Sequence, residues 1–306
     1  MFSRADRLWF NFLEPNAPPA RSGLRLGRYT GFPVGVEFQD RCHVQVWDLA
    51  NTLDQEAFVD SPAAPDETAN GAEWRQTQLT GSTVTVVDTG FPSYLRVLTG
   101  ATDGHGQEMQ AVLGAGGATR TIYDTSTVED ILFSITLRFA DANNNSATVE
   151  QMRFFAGFGA PDTSVLAGLD DYIGFASADG SGILKLVADQ TSGVPVTGAS
   201  SSVNLLNLNT SNANLVNKWI TLTLVARGLD RTNQEGHVYG FVDSHNKRTG
   251  AVDFTPTHLG SLNLDTLSDV PGAAMCPTIA FNAGEAVAKQ LHIAKVVCAA
   301  KFRLGV

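Results

Sequence analysis

Carboxylates are the first side chains to test for chemistry, because glycoside hydrolysis needs two of them facing one cleft, one as acid and one as nucleophile. Glutamate is scarce, with 10 in 306 residues. The pair Glu129-Asp130 is adjacent in sequence, so on a strand the two would point to opposite faces and serve only the start of that strand. The six histidines, His43, His105, His237, His245, His258 and His292, are scattered, with no metal-ligand spacing. No Gly-x-Ser-x-Gly elbow occurs to present a serine nucleophile. Gly114-Ala-Gly-Gly117 lacks the Lys-Ser/Thr that completes a phosphate loop, and Gly180-Ser-Gly182 reads as a hairpin turn. The cysteines, Cys42, Cys276 and Cys298, are odd in number and form no CxxC. Cys298 lies in apolar Val296–Ala300 and reads as a buried thiol, which suits folding in a reducing cytosol. These residues point to binding or assembly rather than catalysis.

The elements that would carry such a function are strands. In Ile131–Phe139, Phe133, Ile135, Leu137 and Phe139 face one way while Ser134, Thr136 and Arg138 face the other. Lys218–Ala226 repeats the pattern, with Ile220, Leu222 and Leu224 inward and Thr221 and Thr223 outward. Further strands are expected at Cys42–Trp47, Thr83–Val87, Leu95–Leu98, Met109–Leu113, Met152–Phe158, Tyr172–Ala176, Ile183–Val187, His237–Val242 and Leu291–Phe302, with a short helix near Asp48–Phe58. Connectors such as Asp141–Ser146 are rich in Asn, Ser and Gly. A hydrophobic content of 43% supplies a core, and a charged content of only 17%, with Gly 29, favours a multi-stranded sandwich. The expected core includes Phe133, Ile135, Leu137, Phe155, Ile173, Phe175, Leu184, Leu186, Ile220, Leu222, Leu224, Phe241, Ile293 and Val297.

Charge is uneven along the chain. The net charge of −10 speaks against nucleic acid as a partner. Residues 1–36 nevertheless carry Arg4, Arg7, Arg21, Arg25 and Arg28 against Asp6 and Glu14. Pro15, Pro18, Pro19 and Pro33 keep this segment extended, and Trp9, Phe10 and Phe12 give it aromatic anchors. An ordered arm is expected, seated in a groove on its own body or on a partner. Residues 60–72 read as a surface linker, which divides the chain into an arm and accessory region, 1–75, and a sandwich, 76–306. The apolar stretch Leu8–Leu13 is short and broken by Asn11, so no signal peptide is expected. No segment approaches the roughly 20 apolar residues of a helical membrane span.

The segments Tyr172–Gly180, Lys218–Arg227 and Gly236–Asp243 resemble the central strands of laminin-G and concanavalin A-like jelly rolls, in which a Trp-led strand is followed by a strand ending in Val-Asp. Pro277–Val297 and Tyr94–Gly106 resemble segments of a group of tailed-phage virion proteins. The first resemblance implies an all-β, antiparallel two-sheet jelly roll, here with an extended amino-terminal arm. Hydrolases of that fold place Glu, Asp and Glu at alternating positions of one strand. No such strand occurs, and alginate-lyase-type strands are missing as well. Laminin-G-type domains often hold calcium through loop oxygens, so a calcium site is open on Asp162, Asp170, Asp171 and Asp179, against their reading as solvated loop acids.

The two resemblances together lead to an expected non-enzymatic virion structural protein, a capsid decoration or cement protein synthesised in the host cytoplasm. Its anchoring residues are Arg4, Arg7, Trp9, Phe10, Phe12, Arg21, Arg25 and Arg28, placed against the major capsid protein or another virion protein. A homo-oligomer is expected, with a trimer as first choice. The alternative is a carbohydrate-binding adhesin of a phage tail or head that meets a host-surface glycan, with Tyr123 or Tyr172 stacking on sugars unless they are core aromatics. A polysaccharide-active enzyme stands third. Neither a membrane nor a cofactor is expected.

Overall fold

The computed structural model describes residues 25–26, 33–34, 42–48, 74–78, 81–87, 94–111, 123–141, 151–161, 165–190, 195, 199, 201–208, 217–244, 257–266, 269–272 and 274–303. Arg25 lies in a two-residue ladder, Arg25–Leu26 with Pro33–Val34 (β1 and β2). The other anchoring residues of the arm, residues 49–58 of the expected helix and Asp162 lie outside the described residues, and Asp48 ends a strand.

Two antiparallel sheets form the body. In chain order the strands are β3 (Cys42–Asp48), β4 (Trp74–Gln78), β5 (Thr83–Val87), β6 (Tyr94–Leu98), β7 (Gly106–Ala111), β8 (Tyr123–Asp124), β9 (Val128–Asp141), β10 (Met152–Gly159), β11 (Tyr172–Ser177), β12 (Ile183–Asp189), β13 (Ser201–Asn207), β14 (Ile220–Asp230), β15 (Glu235–Ser244), β16 (Thr257–Asn263), β17 (Ala274–Ala283) and β18 (Lys289–Phe302). The first sheet runs β16-β15-β14-β9-β18-β6-β5, and β3 also pairs with β18. The second runs β13-β12-β11-β10-β17-β7-β4, and β8 also pairs with β17. The one short helix among the described residues is α1 (Val165–Gly168). The expected all-β two-sheet jelly roll is the observed fold. Strands β3 and β4 bring parts of residues 42–78 into the two sheets, so the sandwich takes strands from the region expected to stand apart as residues 1–75.

The core lies between the sheets. Phe133, Ile135, Leu137, Ile173, Phe175, Leu184, Leu186, Ile220, Leu222, Leu224 and Ile293 are fully buried in one cluster, as expected from the alternation. Rings interlock across the layers, Phe139 on Phe154 at 5.1 Å and Phe133 on Phe158 at 5.7 Å, both edge to face.

Three expected core residues lie outside the main cluster, of which Phe155 and Val297 are nonetheless buried. Phe155 is buried in a separate cluster on the far side of the second sheet. Phe241 is half-buried and register-paired with outward Thr223, because Val238 and Val242 take the inward phase of β15. Val297 falls outside the main core cluster because the pairing of β18 with β9 shifts between Ile293 and Lys295. The extra residue exchanges the inward and outward sets, so Ile293 is followed by Val296 and Cys298 in the core.

Candidate functional site

The two sheets treat their outer faces differently. The second sheet is roofed by its own chain. Val165, Leu166 and Leu169 in and after α1 pack on Phe155, Tyr172, Ala176, Val187 and Ala280. The buried Glu108 carboxylate accepts the Val165 and Leu166 amides at 2.8 and 3.0 Å, and Gln110 Nε2 donates to the Ala160 carbonyl at 2.9 Å. Buried backbone donors need such partners, so these polar side chains hold the roof down.

The first sheet carries polar and aromatic side chains on its outer face, half-buried at Tyr94, Arg96, Thr136, Arg138, Thr221, Thr223 and Gln290 and buried at Ser134, Trp219 and His292. Its outward positions follow from the alternation: Tyr94 and Arg96 on β6, Gln290 and His292 on β18, Ser134, Thr136 and Arg138 on β9, and Thr221 and Thr223 on β14. His292 is the hinge of this set, register-paired with Arg138 on one side and Arg96 on the other. Arg138 donates to His292 Nδ1 from Nε at 3.1 Å and from an Nη at 2.7 Å. His292 Nε2 donates to Gln290 Oε1 at 3.0 Å. Burial first, then the charges of Arg138 and Arg96, push the His292 pKa down to about 3. The imidazole is therefore neutral, with its proton on Nε2 and its Nδ1 lone pair facing the guanidinium.

Aromatic rings frame the cation. Tyr94 stacks on His292 with centroids 4.3 Å apart, and Trp219, just before β14, meets Tyr94 edge to face at 5.5 Å. The Arg138 guanidinium carbon lies 5.7 Å from the Tyr94 centroid and 5.6 Å from that of Trp219, within cation–π reach. Burial lowers the Arg138 pKa, opposed by the nearby Tyr94 phenol. Beside it runs a hydroxyl ladder, Thr136 to Thr221 at 2.9 Å and Ser134 to Thr223 at 3.0 Å. Arg96 Nε donates to Thr85 Oγ1 at 3.2 Å.

Arg153, Arg303, Lys289 and Lys301 each meet a carboxylate. Arg96 and Arg138 meet none among the described residues, although the chain carries a net charge of −10. Chemically, the face offers guanidinium donors, a half-exposed ring and hydroxyls to one ligand.

The residues singled out from sequence are dispersed. Asp171 accepts the Gly272 amide just before β11, and Asp179 meets Arg153 just after it. The six residues of β11 separate them by roughly 20 Å, so the structure does not bring these aspartates to one site. Among the described residues no group of three His, Cys, Asp or Glu is placed to hold a metal ion. Tyr123 and Tyr172 are buried core aromatics, Tyr123 against Phe158 at 4.7 Å and Tyr172 against Phe155 at 5.8 Å, so neither presents a ring to a sugar. The residues that converge, Tyr94, Arg96, Arg138, Trp219, Gln290 and His292, share no sequence motif. Arg138 and His292 are 154 residues apart. The one local signal was Arg138, the charged residue among the outward positions of Ile131–Phe139.

No family model and no curated protein matches the chain. Among solved structures, lectin I of Ulex europaeus, in complex with the methyl glycoside of α-L-fucose, aligns with TM-score 0.46 and 9% identity over 86% of this chain and 99% of that one. The CBM2 module of the evolved Dit of Lactobacillus casei BL23 phage J-1 aligns with TM-score 0.44 and 10% identity over 88% and 100%. The PL-14 alginate lyase of Aplysia kurodai gives 0.45 and 10% over 76% and 93%. The binding domain of botulinum neurotoxin DC gives 0.42 and 12%, and the chain spans 44% of that structure's length. At these scores nothing about ligand or activity transfers from them.

Proposed function

We propose that this is a non-enzymatic, lectin-like binding protein that takes a glycan on the outer face of its first sheet. One observation carries the reading: a half-buried guanidinium, Arg138, rests on Tyr94 and Trp219 with no carboxylate partner among the described residues. Holding a cation out of water without a counterion costs free energy, so a surface that retains one is organised for a ligand. A ring beside hydroxyl rows suits a sugar, which has an apolar C–H side and a polar rim. The test is binding of the full chain to a broad polysaccharide panel. Saturable binding that Arg138→Gln removes without changing the melting temperature supports the reading. No binding across the panel overturns it. Chain shortening or unsaturated products would refute the non-enzymatic part.

The composition of residues 1–36 favours a second role in the same molecule. Arg4, Arg7, Arg21, Arg25 and Arg28 supply charge-assisted hydrogen bonds, and Trp9, Phe10 and Phe12 supply aromatic anchors. In this reading the arm fixes a homo-oligomer, a trimer as first choice, to the major capsid protein or another virion protein. The sandwich is then displayed to host-surface glycans, and repeated weak sites gain avidity from the array. Deleting residues 1–30 should leave a folded, soluble sandwich that no longer co-sediments with particles. Unfolding, or undiminished attachment, counts against an anchoring arm.

A further inference from the structure

The glycan reading leaves open which sugar chemistry the face selects, and the arginines narrow it. Each guanidinium has five N–H donors. Among the described residues, Arg138 directs two toward His292 Nδ1, with three others not so engaged, and Arg96 directs one toward Thr85 Oγ1, with four others not so engaged. Both side chains flank the same residue of β18 on adjacent strands, so their heads address one patch of surface. His292 adds no positive charge there and fixes the plane of the Arg138 fork through Nδ1, and Gln290 fixes the imidazole through Nε2.

We infer that Arg138 and Arg96 together hold the carboxylate of an acidic sugar within a polysaccharide laid across β6, β18, β9 and β14, with His292 and Gln290 as positioning residues. This inference rests on the glycan reading. The planar fork of arginine matches a carboxylate through two parallel hydrogen bonds. Tyr94 offers its ring beside the charge, and the Thr136–Thr221 and Ser134–Thr223 rows offer hydroxyls to neighbouring uncharged units. Those four adjacent strands span about 14 Å at ordinary strand spacing, room for a short run of sugars.

The experiment compares the full chain on polygalacturonate, its methyl ester, a neutral glucan and a sulfated glucan, by calorimetry at low and high salt. Polygalacturonate should bind, and esterification should weaken binding by about tenfold or more. Arg138→Gln and Arg96→Gln should each cause a similar loss on polygalacturonate, with unchanged melting temperatures. Arg96 is the safer test for folding, since its head meets a side-chain hydroxyl and no carboxylate among the described residues. His292→Leu should weaken binding while His292→Gln restores it, because glutamine again offers Arg138 an acceptor. A purely structural role would give no such rescue. Equal binding of the neutral or sulfated glucan, or full binding by both arginine variants, overturns the carboxylate assignment and leaves the glycan reading standing. Failure of all four polymers, with binding elsewhere in a broad panel, also overturns this assignment alone. Failure across the whole panel removes both.

Discussion

Replacing His292 with glutamine isolates a pH dependence that the outer face builds into the protein's stability. In the native state burial, then Arg138, then Arg96 hold the imidazole down at about 3, against an ordinary 6.5. As pH falls through 6.5 the unfolded chain takes up a proton on this residue and the native chain does not. The contribution is therefore complete above 6.5 and is lost progressively as pH falls toward 3. At about pH 5 the unfolded state gains roughly 2 kcal/mol from this proton relative to about pH 8. Glutamine keeps an acceptor for Arg138 and does not titrate. Urea unfolding of both proteins, followed by tryptophan fluorescence across that range, gives two stability curves. The carboxylates and the remaining histidines contribute to both and cancel in the difference. The wild type should lose about 2 kcal/mol more than the variant on going to the acid end. Parallel curves would mean that the native imidazole protonates freely, and Arg138 could not then be donating to Nδ1.

Other sites give independent outcomes. Gly157 faces Gly174 across β10 and β11, and a Cβ there would collide with the Ile173 carbonyl and the Gly174 Cα. Gly157→Ala should cost about 1–3 kcal/mol in denaturant unfolding, since backbone on a neighbouring strand cannot step aside. Glu108→Gln replaces one acceptor of the Val165 and Leu166 amides with a donor. Hydrogen exchange at those two amides should accelerate, with a global loss of about 1–3 kcal/mol. Phe158→Ala removes a ring that packs on both Tyr123 and Phe133, and should lower stability by about 3–5 kcal/mol.

Much of the fold was legible because a sheet buried on one side writes its geometry into the chain at period two. Ile131–Phe139 and Lys218–Ala226 announced themselves in this way, and the inward sets were placed correctly. Val297 is buried as expected but on the other face of its sheet, because a bulge leaves no mark in composition, yet it reverses every position after it. Phe155 is buried as expected, but sequence does not tell which cluster it joins, because a buried residue reads alike whether a sheet or a loop covers it. The candidate site was nearly invisible for a different reason. Arg138 was correctly read as outward, but its partners come from strands far away in sequence, and only register brings His292, Tyr94 and Arg96 beside it. A search for metal-ligand spacing asks histidine to be a ligand, whereas His292 is a neutral spacer between two arginines.

The place of β18 in the first sheet has a consequence for how the protein comes into being. Its ladder with β9 joins residues from Lys289↔Asp141 to Phe302↔Val128, pairs separated by 148 to 174 positions. Until this strand is synthesised, β16-β15-β14-β9 and β6-β5 are separate half-sheets. Each half ends in an unpaired apolar edge, the kind of edge that recruits other chains. Contacts of such long range slow folding, because loop closure must precede any gain from pairing. On the ribosome the nascent chain therefore waits for residue 302 with its central seam open, the interval in which chaperone capture or aggregation competes. Cutting the chain before β18 should yield insoluble material rather than a smaller sandwich, since the strand removed is the one that closes the first sheet.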